Sequence, residues 1–447
     1  MITIGIDLGT TTISAVVFEK EASAEWKKGR VLETRTIPGK GFLKTPHEWE
    51  RLQAPGETVS QAKALLEELL SRYSDVAAIG LTGQMHGIVY VDREGQSISP
   101  LFTWQDGRGN LPGFGRDGDK TLVEWVREET GYQVFSGYGL VTHLYHCQKG
   151  LVPEGSAGIC TIADYLGMCL TGRKRPLMHI SNGASLGFFD GREGVFREEV
   201  LGKLGMDVSL LPELAKGFSC LGCYKGIPVS VAIGDSQASF LGTVGIKENT
   251  LLLNMGTGGQ ISLLSEKYFE APGIEARPLT EGKYLLTGAS LCGGRAYAVL
   301  ERFLRSYARQ AGAGDVSQYE IMGRLAEKGW QQRKDGMKVT TAFSGTRTDP
   351  KLRGSITDIG EDNFTPEGLV YGVLEGMARE LYDFYRLIRE GTGICAEHLT
   401  ASGNGMRKNP TLQKIVSELF GTELEEAPCE EEAACGAALV KQLAHIK

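Results

Sequence analysis

Alternating apolar and polar residues open the chain, and the same pattern returns in its second half. The stretch ITIGIDLGTTTISAVVFEK, residues 2–20, alternates, breaks at Asp-Leu-Gly-Thr-Thr and then resumes, which is typical of two β-strands joined by a turn. The stretch TLLLNMGTGGQISLL at 250–264 repeats this pattern around a second Gly-Thr pair. Because each half of the chain holds one such hairpin, the sequence predicts a duplicated α/β unit.

Helical and strand periods interleave along the rest of the chain, which favours α/β architecture. Apolar residues recur at helical spacing over 58–73, 367–390 and 409–421. The stretch VAAIGLTGQMHGIVYVD at 76–92 predicts a strand, a glycine-broken loop and a second strand. We therefore expect sheets flanked by helices.

Length and composition describe an ordinary globular protein of two domains. A chain of 447 residues exceeds what one hydrophobic core supports, and we place the domains at 1–242 and 243–447. A net charge of -7 disfavours a nucleic-acid partner. No apolar run has membrane-spanning length, and the nine scattered cysteines indicate reduced thiols, so we expect a cytoplasmic protein.

The two Gly-Thr turns are candidates for phosphate binding. Glycine lets backbone N–H groups face a ligand without a Cβ in the way, and the adjacent threonine adds a hydroxyl. Two such loops facing each other would hold a triphosphate, and Asp7 before the first turn would hold Mg²⁺ through water. Either turn alone is better explained as an ordinary hairpin, whereas the pair favours the phosphate hypothesis.

Asp235 is the candidate general base. The stretch VSVAIGDSQASFLG at 229–242 places it after an apolar strand, where α/β proteins bind their ligands. Phosphoryl transfer to an alcohol requires a carboxylate that accepts the hydroxyl proton. An aspartate that caps a helix has the same local pattern, and this stretch alone favours the cap.

Polar and aromatic residues cluster after two strands in the first half of the chain. The cluster consists of Gln84, Met85, His86, Trp104 and Asp106. Several hydrogen-bonding groups beside an aromatic face are what a polyhydroxy ligand requires. The alternatives are a core histidine at His86 and a packing residue at Trp104, although neither explains why both strands end in polar clusters.

Seven short motifs follow one another across nearly the whole chain. They are GIDLGTT, GLTGQMHG, TWQDGR, GDSQAS, NMGTGGQ, CGGRAY and ASGNGMRKNP. In this order they resemble the FGGY carbohydrate kinases of the actin and sugar-kinase superfamily. The resemblance implies two ribonuclease-H-like domains flanking a cleft, with the sugar mostly on the first and the nucleotide mostly on the second. It also implies ATP and Mg²⁺ as cofactors.

The same resemblance assigns roles to individual positions. Asp235 matches the catalytic base, and Asp7 and Asp235 are the carboxylates expected near Mg²⁺. Sugar contacts are implied at Gln84, Met85, His86, Asp106 and Asp235. Nucleotide contacts are implied at Thr10, Thr11, Gly256, Thr257, Gly258, Gly293, Gly403, Asn404 and Asn409. Ser236 after the base and the Gly-Asn-Gly at 403–405 depart from the family pattern.

The motif GQMHG resembles xylulokinases and sedoheptulokinases rather than glycerol kinases. The stretches PLFTWQDGRG and LTGRKRPLMHISNGASLGFFD, the latter at 170–190, resemble sedoheptulokinases more closely. The resemblance therefore implies a ketose kinase with sedoheptulose as the leading substrate and xylulose as the alternative.

Two other functions share part of these motifs. An actin- or chaperone-like ATPase has the phosphate loops, but the clusters at 84–86 and 104–108 argue against it. A non-catalytic sugar sensor is disfavoured because Asp235 is present. We expect a ketose and ATP as partners, without nucleic acid or membrane, and leave a homodimer open.

Overall fold

The chain divides into two compact units. The computed structural model describes residues 1–20, 29–332, 336–346, 349, 351–427 and 429–443. The first unit contains Met1–Gly245, Arg277–Gly282 and the described residues from 429 onward, and the second contains Ile246–Ala276 and Lys283–Ala427. The first change of unit falls three residues after the boundary placed from the sequence, and the last segment of the chain returns to the first unit.

The helices include those expected from apolar periodicity. They are α1 (Pro55–Arg72), α2 (Leu122–Thr130), α3 (Gly139–Lys149), α4 (Ile162–Thr171), α5 (Ile180–Ser185), α6 (Glu198–Lys203), α7 (Asp235–Thr243), α8 (Gly293–Gln310), α9 (Tyr319–Gln332), α10 (Pro366–Thr392), α11 (Asn404–Arg407), α12 (Pro410–Phe420) and α13 (Glu432–Leu443). The three predicted helices are α1, α10 and α12. Each begins with a proline in its first turn, where no intrahelical N–H bond is lost. Within the described residues, no helix is long and apolar enough to cross a membrane.

The strands are short except in the two main sheets. They are β1 (Ile2–Leu8), β2 (Thr12–Glu19), β3 (Arg30–Pro38), β4 (Leu52–Gln53), β5 (Val76–Gly83), β6 (Val89–Val91), β7 (Leu101–Phe102), β8 (Pro112–Phe114), β9 (Lys120–Thr121), β10 (Gly158–Cys160), β11 (Leu177–His179), β12 (Phe189–Asp190), β13 (Val195–Phe196), β14 (Glu213–Ala215), β15 (Cys220–Tyr224), β16 (Ile227–Ser230), β17 (Ile233–Gly234), β18 (Thr250–Met255), β19 (Gly259–Ser265), β20 (Ile274–Thr280), β21 (Lys283–Ser290), β22 (Lys338–Thr340), β23 (Ser355–Thr357), β24 (His398–Ser402) and β25 (Leu424–Glu426). The hairpins predicted at 2–20 and 250–264 are β1–β2 and β18–β19.

The two main sheets have the same core topology. The first has the order β15-β16-β5-β1-β2-β3, with β17 also paired to β5, and the second has the order β20-β21-β19-β18-β24-β25. In the first, β1, β2 and β3 form an antiparallel meander and β5 runs parallel to β1. In the second, β18, β19 and β21 form the meander and β24 runs parallel to β18. This repetition confirms the predicted duplicated unit.

The last helix, α13, closes one face of the first sheet through unusually close backbone contacts. A Cβ added at Gly5 in β1 would lie 1.8 Å from the backbone oxygen of Ala434, and one at Gly80 in β5 would lie 1.8 Å from that of Ala437. Because Ala434 and Ala437 are themselves buried, this part of the helix belongs to the core of the first unit. Glycine is therefore required on the sheet for the helix to approach.

Candidate active site

Three parallel strands of the first sheet end at one edge, and each brings a polar residue there. β1 pairs in parallel with β5, which pairs in parallel with β17. Asp7 lies one residue before the end of β1, Gln84 follows β5, and Asp235 follows β17. The Gln84 N–H donates to the backbone oxygen of Leu8 at 2.9 Å. Carboxyl ends of parallel strands are where α/β sheets bind ligands, so this edge is the candidate site.

Asp235 is the first residue of α7, and its carboxylate is largely withdrawn from solvent. Gly234, rather than Asp235, occupies the N-cap position of the helix. Burial raises the pKa of Asp235 to about 6, although the N–H of Ser236 and the charge of Arg277 partly oppose this rise. A carboxyl group with this pKa is ionised at neutral pH and remains basic enough to accept a proton.

Asp7 lies among negative charges, one of which the sequence analysis missed. Burial raises the pKa of Asp7 to about 7, and repulsion from Asp235 and Glu431 adds to the rise. Glu431 lies just before α13 and accepts a hydrogen bond from the Thr36 hydroxyl at 2.8 Å. The signal for Glu431 in the sequence was the acidic run before the small-residue stretch at 433–438. The contact of Glu431 with β3 was not predictable from spacing.

The surroundings of Asp7 fit Mg²⁺. Its Oδ1 is buried and accepts no hydrogen bond from the described residues. A divalent cation nearby would supply the missing interaction and relieve the repulsion with Asp235 and Glu431. Among the described residues, no three His, Cys, Asp or Glu side chains form a metal-binding group. This is compatible with Mg²⁺, which takes one or two carboxylates and keeps several waters.

Met85 and His86 follow Gln84 at the same strand edge. The sulfur of the buried Met85 lies 3.6 Å from the hydroxyl of Ser236, next to the candidate base. His86 has a φ of 73°, a strained value for a residue other than glycine. Its N–H donates to the Ser185 hydroxyl at 3.1 Å, and its Nδ1 is 2.6 Å from the Ser185 carbonyl oxygen. Since a carbonyl only accepts, Nδ1 carries the proton and the ring orientation is fixed.

Trp104 and Asp106 differ in how much of each side chain remains available to contact a ligand. The Trp104 side chain is half exposed, and its Nε1 donates to the Thr10 hydroxyl at 3.0 Å. Asp106 is buried, and its carboxylate accepts from Arg108 Nε, Nη2 and backbone N–H at 2.6, 3.1 and 3.1 Å, and from the Arg51 N–H at 3.3 Å. These four donors fill the acceptor positions of a carboxylate. Sugar contact by Asp106 stays a prediction, and its geometry favours orienting Arg108.

The first phosphate turn lies between β1 and β2. Thr10 is half buried and Thr11 is exposed. The backbone oxygen of Thr10 accepts from the Gln53 side chain at 2.8 Å, and that of Thr11 accepts from the Gly39 N–H at 2.8 Å. The turn is thus fixed through its carbonyl groups, which leaves the Thr11 side chain facing solvent.

The second unit brings most of its predicted nucleotide residues together. The turn at Gly256, Thr257 and Gly258 joins β18 to β19, and α8 begins against it at Gly293. Gly294 and Arg295 at the start of α8 donate to the backbone oxygens of Gly256 and Thr257, each at 2.9 Å. A Cβ on Gly293 would lie 2.3 Å from the carbonyl carbon of Gly258. This contact requires glycine and places a helix N-terminus, which favours anions, beside the turn.

The predicted adenosine motif follows β24 in the same unit. Gly403 has a φ of 85°, and a Cβ there would lie 2.6 Å from the Met255 carbonyl oxygen at the end of β18. Asn404 is exposed at the start of α11. Asn409 caps α12 by accepting from the Leu412 N–H at 3.1 Å. The motif therefore adjoins the second phosphate turn, while the Asn409 oxygen already has a structural partner.

The class of protein follows from its two main sheets, which share one topology. The first sheet has carboxylates at its strand ends, and the second has a glycine turn against the start of a helix. They form the actin-like ATPase fold found in sugar kinases. Models of the N-terminal and C-terminal domains of the FGGY family of carbohydrate kinases match residues 2–242 and 251–445. The chain belongs to the FGGY family of carbohydrate kinases, and the enzyme is a phosphotransferase.

Relatives and solved structures extend over nearly the full chain. Sedoheptulokinase from Homo sapiens is 26% identical, with 100% of this chain and 98% of that protein covered. The structure of xylulose kinase from Rhodospirillum rubrum matches with a TM-score of 0.81 at 22% identity, covering 99% of this chain and 90% of that one. Glycerol kinase from Plasmodium falciparum, solved with ADP, matches with a TM-score of 0.75 at 18% identity, covering 98% and 88%. The two structures support the fold.

Proposed function

We propose that this kinase transfers the γ-phosphoryl group of ATP to a terminal hydroxyl of a ketose, with sedoheptulose as the preferred substrate. The observation that carries the proposal is Asp235 at the strand-end edge, with Met85 of the GQMHG motif beside it. The likeness to the human protein named sedoheptulokinase supports the choice of sugar, as do the stretches around Trp104 and at 170–190. Xylulose is the alternative substrate because GQMHG is shared with xylulokinases.

In the proposed reaction, Asp235 acts as general base. The sugar hydroxyl oxygen attacks the γ-phosphorus in line as the bond from that phosphorus to the bridging oxygen of ADP breaks. The hydroxyl proton passes to the Asp235 carboxylate, and sugar phosphate and ADP leave. Proton acceptance of this kind contributes about 10²–10⁴-fold to the rate. Positioning and charge stabilisation supply most of the remainder.

The two glycine turns would hold the phosphates. In the first unit, Thr10 and Thr11 offer hydroxyl groups. In the second unit, the turn at 256–258 offers the N–H groups of Thr257 and Gly258, because the Gly256 N–H already donates to the Gly258 carbonyl oxygen at 3.0 Å. Asp7, with Asp235 nearby, would hold Mg²⁺ through water, and the ion would neutralise charge that develops on the phosphoryl oxygens. The role of this chain is then to orient ATP and sugar and to exclude water from the transferred group.

A panel of ketoses and polyols assayed with ATP tests the substrate assignment. The panel includes sedoheptulose, xylulose, ribulose, fructose and glycerol, and kcat/KM is measured for each. We expect sedoheptulose among the best two substrates. A clear preference for glycerol or another polyol would overturn the ketose assignment. Rapid ATP hydrolysis without any sugar would instead favour an actin-like ATPase.

Asp235→Asn tests the base. This variant keeps the side-chain volume but loses the proton acceptor, so kcat falls by about 10²–10⁴-fold while ADP affinity stays within a few-fold. Asp207→Asn is the matched control because Asp207 caps a surface turn by accepting from the Ser209 N–H, a role that asparagine also performs. Substantial turnover by the Asp235 variant would refute the assignment.

A further inference from the structure

Gln53 joins a predicted sugar residue to the first phosphate turn. It lies in β4, is 3% exposed and was not singled out by the sequence patterns. Its Nε2 donates to the Thr10 carbonyl oxygen at 2.8 Å, and its Oε1 is 2.8 Å from Gln84 Nε2. One buried amide therefore contacts both predicted sites.

The direction of this hydrogen-bond chain follows from chemistry alone. The Thr10 carbonyl can only accept, so the amide nitrogen of Gln53 must face it. The Gln53 oxygen then faces Gln84, which must present its own nitrogen. The orientation of Gln84 is thereby fixed with its oxygen on the other side, where it is buried and accepts no hydrogen bond from the described residues. A buried carbonyl oxygen without a donor favours a ligand that brings a hydroxyl.

A second contact reaches Thr10 from the same pair of short strands. β4 and β7 pair with Gln53 opposite Leu101, and the Thr103 N–H and hydroxyl after β7 both donate to the Arg51 carbonyl, at 3.1 and 2.8 Å. This pairing carries Trp104, whose Nε1 donates to the Thr10 hydroxyl. The β4–β7 pair thus holds the main chain of Thr10 through Gln53 and its side chain through Trp104.

We propose that Gln53 is a positioning residue that couples occupancy of the sugar site to the geometry of the first phosphate turn. The proposal rests on the proposed function. A sugar hydroxyl that donates to the Gln84 oxygen fixes this side chain, and Gln53 transmits the constraint to the Thr10 carbonyl. Sugar and nucleotide then tighten each other's binding, and by linkage the factor is the same in both directions.

Gln53→Met tests the coupling because it keeps the side-chain length but cannot donate to Thr10. The dissociation constant of ADP with Mg²⁺ is measured by calorimetry with and without saturating sugar, using the best substrate of the panel. The wild-type ratio of the two constants is expected within the usual range of about 5–150-fold, and the variant ratio is expected to approach 1. Gln148→Met is the matched control because Gln148 donates to the Leu204 carbonyl, outside both sites.

A second variant keeps the coupling testable if Gln53→Met does not fold. Gln53→Glu still accepts from Gln84, but its carboxylate repels the Thr10 carbonyl, so its coupling ratio is also expected to approach 1. If both variants retain the wild-type ratio, or if Gln148→Met loses it equally, the inference is overturned while the kinase assignment stands. If no compound of the panel is phosphorylated or alters ADP binding in the wild type, the proposed function and the inference both fail.

Discussion

Asp7 and Asp235 lie at the ends of β1 and β17, which pair in parallel with opposite sides of β5, yet their surroundings suit the two carboxylates to different tasks. Asp235 has the Ser236 N–H and the charge of Arg277 to support its ionised form. Asp7 has a buried oxygen that no described residue satisfies, and Glu431 adds repulsion. The first arrangement favours a carboxylate that stays charged and accepts a proton. The second arrangement favours a carboxylate that binds near a cation.

Asp7→Asn should therefore gain stability and need more magnesium for activity. Because burial and repulsion raise the pKa of Asp7 above 3.8, its ionised form destabilises the fold near neutral pH, and asparagine removes this charge. We expect a higher melting temperature and about 10–100-fold more Mg²⁺ for half-maximal rate. Asp75→Asn, at an exposed position just before β5, serves as control. An unchanged Mg²⁺ dependence would contradict the role given to Asp7.

At the scale of elements, the cap of α5 supports the strand that leads to the candidate base. His179 Nδ1 accepts from the Ser181 N–H at 3.2 Å, so this nitrogen is unprotonated and also accepts from the Ser181 hydroxyl at 2.8 Å. The Ser181 oxygen in turn accepts from the Gly234 N–H at 2.9 Å. Asp235 is the next residue. A neutral buried histidine thus holds the end of β17 in place.

This cap predicts a pH-dependent stability. Burial lowers the pKa of His179 to about 3, whereas an unfolded histidine has a pKa near 6.5. The unfolded chain therefore binds a proton first, and stability falls as the pH drops below 6.5. Between pH 7.5 and 5.5 this single group costs about 1.4 kcal/mol.

His179→Asn removes that titration while keeping an N-cap acceptor. The variant should be less stable at pH 7.5 because the ring packs against Phe218, with centroids 5.6 Å apart. Its loss of stability between pH 7.5 and 5.5 should nevertheless be smaller than the wild-type loss by about 1.4 kcal/mol. Urea unfolding at both pH values measures this difference. Equal losses in the two proteins would show that His179 is not kept neutral by the fold.

At the scale of the whole molecule, local sequence patterns predicted the two hairpins and the long helices but not the contacts between residues far apart in the chain. The hairpins at 2–20 and 250–264 and the long helices were predictable because apolar periodicity is set by neighbours in sequence. Asp7 and Asp235 were candidates because each lies at a strand end. Glu431 and Gln53 were missed because their partners lie far away in the chain. Nor does composition reveal that α13 belongs to the core of the first unit.

The position of α13 makes the C-terminal segment a determinant of the first unit's stability. Gly436 packs so closely on α7 that an added Cβ would lie 1.8 Å from the Ala238 carbonyl oxygen, a backbone atom that cannot rotate away. Gly436→Ala should therefore destabilise the first unit by about 3 kcal/mol. In hydrogen exchange, β1 and β5 should lose protection while β18 and β24 keep it, because the second unit has its own core.

Gly202→Ala is the matched control for this substitution. Gly202 lies in α6 of the same unit with open space around it, so alanine there should leave exchange in β1 and β5 unchanged or slightly slower. If Gly436→Ala instead exposed β18 and β24, α13 would stabilise the second unit, as its place in the sequence suggests. If only β1 and β5 lose protection, α13 stabilises the first sheet, which contains the first strand of the chain. It then also stabilises the edge of that sheet where Asp7 and Asp235 lie.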